Sequence, residues 1–116
     1  AGLTLDVLER TGALASCACI FHWFSGTSDE LHRAVKVGCW FSINEMMLRT
    51  RRGREYARQL PAARLLLETD LPPGEDVTFA AADILASLER TAATLGEIRH
   101  QDVRSLSTEN ALHLLE

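Results

Sequence analysis

The chain has no apolar run approaching the roughly 20 residues needed to cross a bilayer, so a membrane-spanning helix is not expected. It has no initiating methionine, and its first residues, Ala1-Gly2-Leu3-Thr4-Leu5-Asp6, carry neither the basic flank nor the apolar centre of a secretory signal. The sequence is read as beginning inside a helix, with its upstream part missing. Cysteine is sparse and odd in number: Cys17, Cys19 and Cys39. A Cys-x-Cys pair with no second Cys or His pair at finger spacing does not make a zinc module, and three cysteines do not make a disulfide framework. All three are expected as core filler in a reducing, cytoplasmic compartment. A net charge of -4 argues against polyanion binding by the whole surface. The apolar fraction of 47% and charged fraction of 24% exclude disorder and low complexity.

What is present alternates. Residues 3–14 place Leu3, Val7, Leu8 and Leu14 at helical spacing, and the helix is closed at Thr11-Gly12. Residues 17–24 are apolar apart from His22, the pattern of a strand covered on both faces. Ser25-Gly26-Thr27 opens a second helix, capped by Thr27 or Ser28, with Asp29 and Glu30 in its first turn and Leu31, Ala34 and Val35 inward. Gly38 ends it. Residues 39–43 read as a second strand, followed by Asn44. A third helix is expected over 50–59, stopped by Leu60-Pro61, and a third strand over 64–68, ending at Asp70. A turn at Pro72-Pro73-Gly74 precedes a helix over 79–95 with Gly96 as its stop, and two shorter helices follow over 99–106 and 108–115. Every strand-to-strand connection has room for a helix, which implies a parallel sheet with right-handed crossovers. Three parallel strands leave two open edges, so further strands are expected to complete the sheet.

Reactive groups of parallel α/β proteins gather at the carboxyl ends of the strands. His22, Asn44 and Asp70 all fall there. An imidazole and a carboxylate suit a first-row divalent ion, but two ligands cannot hold a catalytic metal. The plainer readings are a hydrogen-bonded histidine and a turn aspartate. Glu68 lies two residues before Asp70 on the same strand face and needs a partner there, so it and Asn44 are read as supporting groups. Ser25-Gly26 presents a helix N-terminus, which suits a phosphate or marks an ordinary helix start. Arg49, Arg51, Arg52, Arg54, Arg58 and Arg64 form a local basic run, either facing phosphates or forming a solvated helix face. Trp23, Phe24, Trp40 and Phe41 are read as packing residues rather than as a base-stacking platform. His32, His100 and His113 are expected at the surface.

Four ordered blocks carry a family resemblance: His22-Trp23-Phe24-Ser25-Gly26, Gly38-Cys39-Trp40-Phe41-Ser42-Ile43-Asn44, Leu65-Leu66-Leu67-Glu68-Thr69-Asp70 and Thr108-Glu109-Asn110-Ala111-Leu112. Together they resemble the C-terminal part of the TatD-type metal-dependent deoxyribonucleases. The His-Trp-Phe-Ser-Gly form, with Gly38-Cys39-Trp40-Phe41-Ser42-Ile43-Asn44 and the Met47-Leu48-Arg49-Thr50-Arg51-Arg52-Gly53 stretch, is most similar to the QatD branch, which is associated with a bacterial anti-phage defence cassette.

The resemblance implies an α/β fold, a partial (β/α)8 TIM barrel of the metal-dependent hydrolase type. Residues 1–116 would then be the C-terminal fragment of one domain, its last three strands and closing helices. It implies His22 and Asp70 as metal ligands for zinc, manganese or magnesium, and Asp70 also as the catalytic residue that activates water. Glu68, Asn44 and Ser25 would support them, and Arg49, Arg51 and Arg52 would hold the phosphates of a DNA substrate. The family's His-x-His pair, a middle-strand Glu and a further His lie outside this sequence, so the isolated chain is expected to be inactive. The loop at Leu71-Pro72-Pro73-Gly74-Glu75 reads as shortened. Two other readings stand beside the nuclease: a non-catalytic TatD-like interaction module, and a metal-dependent hydrolase acting on an amide or ester. Defence-cassette proteins would be partners under the QatD reading.

Overall fold

A computed structural model describes residues 1–70 and 80–116. The turn expected at Pro72-Pro73-Gly74 and the shortened loop lie outside them. Three parallel strands, β1 (Ile20–His22), β2 (Trp40–Ile43) and β3 (Leu65–Leu67), form a sheet in sequence order. Its register aligns Phe21 with Phe41 and Phe41 with Leu65, and then His22 with Ser42 and Ser42 with Leu66. The strand at 17–24 is shorter than expected. Cys17 is exposed and precedes it, Cys19 is half-buried, and only Cys39 is core, where burial pushes its thiol up.

Helices α1 (Gly2–Thr11), α2 (Ser28–Lys36) and α3 (Arg51–Gln59) alternate with the strands. Gly12, at φ 69°, closes α1 as expected. The buried residue of that helix is Leu5, however, while Leu3 and Val7 are exposed. Arg33 of α2 explains part of this orientation, because it binds Asp6 at 2.7 Å and Glu9 at 3.0 Å and so fixes which face of α1 turns inward. Thr27 caps α2 by a reciprocal pair: its hydroxyl accepts from the Glu30 amide at 3.2 Å and its own amide donates to the Glu30 carboxylate at 2.7 Å. Thr50 caps α3, accepting from the Gly53 amide at 2.9 Å.

The core lies between β2 and the helices that cover it. Phe41, Ile43 and Leu65 are buried on one sheet face with Leu31, Leu60 and Leu95. Phe24 joins them edge-on to Phe21 and Phe41, with ring centroids at 5.3 and 6.0 Å. Trp40 is buried on the other face under the Arg64 guanidinium, 4.7 Å from its ring centre. Phe24, Trp40 and Phe41 are thus packing residues, and Trp23 is 37% exposed. His113 is exposed, with its ring beside Trp40.

The C-terminal helices depart from expectation. Helix α4 (Ala81–Arg99) runs through Gly96 and ends at His100, φ 55°. It continues because its last residue, Arg99, is used: its Nη1 donates to the carbonyls of Ala57 at 2.8 Å and Leu60 at 2.6 Å, satisfying the open end of α3. The two short helices expected at the end are one, α5 (Val103–Leu115). The hydroxyls of Ser107 and Thr108 bond back to the Arg104 carbonyl, so they sit inside the helix without breaking it. Asn110 of α5 reaches the carbonyls of Ala62 and Leu65 at 2.7 and 2.9 Å and locks the helix to the start of β3.

Glu45, just beyond β2, ties the sheet to α4. It accepts from Arg90 Nε at 2.8 Å and from the Ser87 hydroxyl at 3.0 Å. The Arg90 guanidinium holds its carboxyl below the usual value of 4.5. A depressed folded value means that this tie stabilises fully above the unfolded pKa and is lost as pH falls through the folded one. Thermal unfolding at about pH 6 and about pH 3 should therefore show a larger loss of Tm in the wild type than in Glu45→Gln. Equal losses would remove Glu45 from the acid sensitivity.

Candidate active site at the strand ends

Strands β1 and β3 both end in backbone that a side chain rarely adopts. Trp23 follows β1 at φ 44°, and Asp70 lies beyond β3 at φ 58°. Aspartate tolerates the left-handed region through its short polar side chain, whereas a tryptophan there is strained. Such conformations cost about 1–3 kcal/mol each and persist only where the surroundings over-determine them. Here the ladder does part of that. Trp23 donates its amide to the Ser42 carbonyl at 3.2 Å, and Glu68 donates its amide to the Ile43 carbonyl at 3.0 Å, so both chains stay anchored to β2 up to the point where they turn.

The result brings three side chains from two strand ends together. Glu68 Oε2 accepts a hydrogen bond from His22 Nδ1. With the proton on Nδ1, Nε2 keeps its lone pair, and Nε2 lies 3.8 Å from Asp70 Oδ2. His22 and Asp70 are about half exposed, and Glu68 is largely covered. A histidine oriented through one nitrogen by a carboxylate, with the other nitrogen presented beside a second carboxylate, is the arrangement that supports metal ligation. With a carboxylate at each ring nitrogen, the gap between Nε2 and Oδ2 favours a positive charge. The donor types fit a divalent first-row ion. The donor number does not complete one: among the described residues no group of three or more His, Cys, Asp or Glu could hold a metal.

Asn44 is buried at the end of β2, and its Oδ1 accepts from the Met47 amide at 2.8 Å. That bond fixes which amide atom is oxygen and leaves Nδ2 as a buried donor without a partner among the described residues; Glu68 Oε1 is a buried acceptor in the same condition. Asn44 therefore shapes the loop behind the site. Ser25 is exposed.

The basic run divides. Arg58 pairs with Glu55 on the same helix, and Arg64 covers Trp40. Arg49 and Arg51 are exposed near the sheet's carboxyl end. Arg52 turns the other way: its Nε donates to the Tyr56 hydroxyl at 3.0 Å and its Nη2 to the Gly26 carbonyl. Tyr56 in turn donates to the same carbonyl at 2.9 Å. Sequence reasoning passes over Tyr56, although the only tyrosine of the chain, four residues after an arginine, is a readable signal.

Comparison with known proteins adds the following. A family model described as TatD related DNase matches residues 2–116. The deoxyribonuclease TATDN3 of Homo sapiens is 31% identical over 114 residues, which cover 96% of this chain and 40% of the human protein. The 3'-5' ssDNA/RNA exonuclease TatD of Edwardsiella piscicida is 41% identical over 56 residues, or 46% of this chain and 22% of that protein. Among solved structures, the TatD homologue YJJV of Escherichia coli k12 aligns with a TM-score of 0.63 at 25% identity, covering 82% of this chain and 39% of its own. A TatD-family hydrolase of Entamoeba histolytica aligns with a TM-score of 0.73 at 15% identity, covering 94% of this chain and 45% of its own. The α/β arrangement is that of part of these TatD hydrolase folds, and the chain spans 40% of the human relative's length.

Proposed function

Since the chain belongs to the TatD related DNase family, we propose that residues 1–116 are the C-terminal part of one (β/α)8 hydrolase domain, and that the complete domain hydrolyses DNA phosphodiester bonds with divalent metal ions. The observation that carries this reading is His22, held through Nδ1 by Glu68 while its Nε2 faces Asp70. Among the described residues no further strand pairs with the outer edge of β1 or β3, which supports the partial barrel. Ile20 lies exposed along β1, and Leu85, Leu112 and Leu115 are exposed on the two helices that pack against β3, where further strands and helices would cover them.

His22 Nε2 and Asp70 Oδ2 would supply two ligands to the metal, the others coming from upstream strands. When bound, zinc, manganese or magnesium supplies polarisation of a phosphoryl oxygen and acidification of a water. Glu68, accepting from Nδ1, selects the tautomer whose Nε2 lone pair is turned toward Asp70. Asp70 accepts the proton of the attacking water on its carboxylate. Arg49 and Arg51 bind the phosphate backbone. Arg51 stands in the first turn of α3 with no acidic residue in that turn, where the helix dipole opposes a cation and an arriving phosphate relieves that opposition. Arg52 is the least available of the three arginines, because it is bound to Gly26 and Tyr56.

The finer reading is a QatD-branch enzyme acting with defence-cassette proteins against phage in the cytoplasm. It rests on the His22–Gly26 and Gly38–Asn44 motifs, and three free cysteines are consistent with the compartment.

The test compares the full-length protein with the isolated chain on single-stranded and duplex DNA in manganese. The full-length protein should cleave and lose activity on chelation, and the isolated chain should not cleave. Cleavage of amides or esters without cleavage of DNA would overturn the substrate assignment. Arg49→Ala with Arg51→Ala should weaken DNA binding evenly across sequences and lower the salt slope by about one for each phosphate that the wild-type arginine neutralises. An unchanged slope would remove these arginines from the interface.

A further inference from the structure

We infer that Arg52 and Tyr56 are positioning residues for His22, acting through the loop that follows it; this rests on the metal-site reading above. The loop has to leave β1 through Trp23 in left-handed backbone and still return to the cap of α2 at Thr27. A strained turn of that kind drifts unless both its ends are fixed. The near end is fixed by the Trp23 amide on the Ser42 carbonyl. The far end is the Gly26 carbonyl, and it is fixed from α3.

Two donors converge on that carbonyl, the Tyr56 hydroxyl at 2.9 Å and Arg52 Nη2. Arg52 Nε donates to the Tyr56 hydroxyl at 3.0 Å, which leaves the hydroxyl proton only one direction to point, toward Gly26. The guanidinium carbon stands 5.2 Å from the Tyr56 ring centre. Tyr56, 6% exposed, has no room to swing, and the exposed Arg52 is held by its bonds to the phenol and the Gly26 carbonyl. The middle of the loop is held by packing. The Phe24 ring lies 6.0 Å from Tyr56, and a Cβ on Gly26 would meet Phe24 Cζ at 2.9 Å and Glu30 Oε1 at 2.8 Å. Carbonyl, ring and amide thus fix three successive parts of the loop. The residue immediately before it, His22, is the one whose aim sets the site.

An arginine in a basic run beside a nuclease site would ordinarily be assigned to phosphate. Here its donors point into the protein, onto a backbone oxygen and a buried phenol, so its effect falls on metal binding before DNA arrives.

The experiment measures the Mn²⁺ dissociation constant of the full-length protein by titration calorimetry without DNA, together with Tm. Tyr56→Phe keeps the ring and removes one hydroxyl; Arg52→Lys keeps the charge and loses the fork that reaches both partners. Each is expected to weaken Mn²⁺ binding by about 10-fold, the lower end of the range for groups that orient a metal ligand. The double variant should be scarcely worse than either single, because the two act as one unit. Mn²⁺ binding at wild-type strength in both single variants, whatever happens to Tm, overturns the positioning role. His22→Ala separates the two levels. If it weakens Mn²⁺ binding while Tyr56→Phe and Arg52→Lys do not, only this inference falls; if it leaves Mn²⁺ binding unchanged, the metal reading falls and this inference with it.

Discussion

Asp70→Asn in the full-length protein is expected to lower DNA hydrolysis by roughly 10²–10⁴-fold, the range for loss of a positioned proton acceptor. The substitution is chosen on the backbone. Asp70 sits at φ 58°, and asparagine is one of the few residues that occupies that region readily, so the variant keeps the turn and changes only the charge and basicity of one oxygen. Alanine would confuse lost chemistry with added strain. The side chain is about half exposed, so stability should change by no more than it does for a surface substitution, within about 0.5 kcal/mol. The rate is to be measured at saturating Mn²⁺, where weakened metal binding no longer contributes and the remaining loss belongs to the proton transfer. Wild-type turnover in Asp70→Asn under those conditions would remove Asp70 from catalysis.

The residues legible in the sequence are those whose role is set by position along one element. Thr27 and Glu30 announce a helix start by their spacing, and the structure shows the reciprocal pair. His22 and Asp70 end two apolar runs, and parallel topology brings two such ends together without any need to know side-chain directions. Leu5 and Arg99 are not legible, because their roles are set by packing between elements. Leu5 is buried because it packs into the shared core, with Arg33 of a different helix helping to orient α1, and Arg99 extends α4 past a glycine because it satisfies the carbonyls that end α3. Helix α5 reads as two helices for a local reason. Serine and threonine favour breaks and caps on average, yet here their hydroxyls bond to the preceding turn of the same helix. Tyr56 is hidden by its neighbours, since a helix dominated by arginines draws attention to charge.

Gly53, in the same arginine-rich stretch, should give the largest stability effect. It is buried in the first turn of α3, and a Cβ built on it would lie 1.9 Å from the Met47 carbonyl oxygen and 2.9 Å from the carbonyl carbon. In an open helix, alanine would gain up to about 1 kcal/mol over glycine. Here the obstacle is backbone, which has no rotamer to escape into, and α3 would have to withdraw from the loop after β2. Overpacking of that kind costs about 3 kcal/mol or more, enough to outweigh the propensity gain and to lower Tm by several degrees. Gly53→Ala should show this loss in thermal or denaturant unfolding of the full-length protein, and wild-type stability would refute the close approach. Withdrawal of α3 also predicts a second readout. Tyr56 and Arg52 ride on that helix, so the Gly26 carbonyl loses both donors when it moves, and Mn²⁺ binding should weaken in Gly53→Ala at least as much as in Tyr56→Phe. If stability falls and metal binding does not, α3 supports the fold without aiming His22.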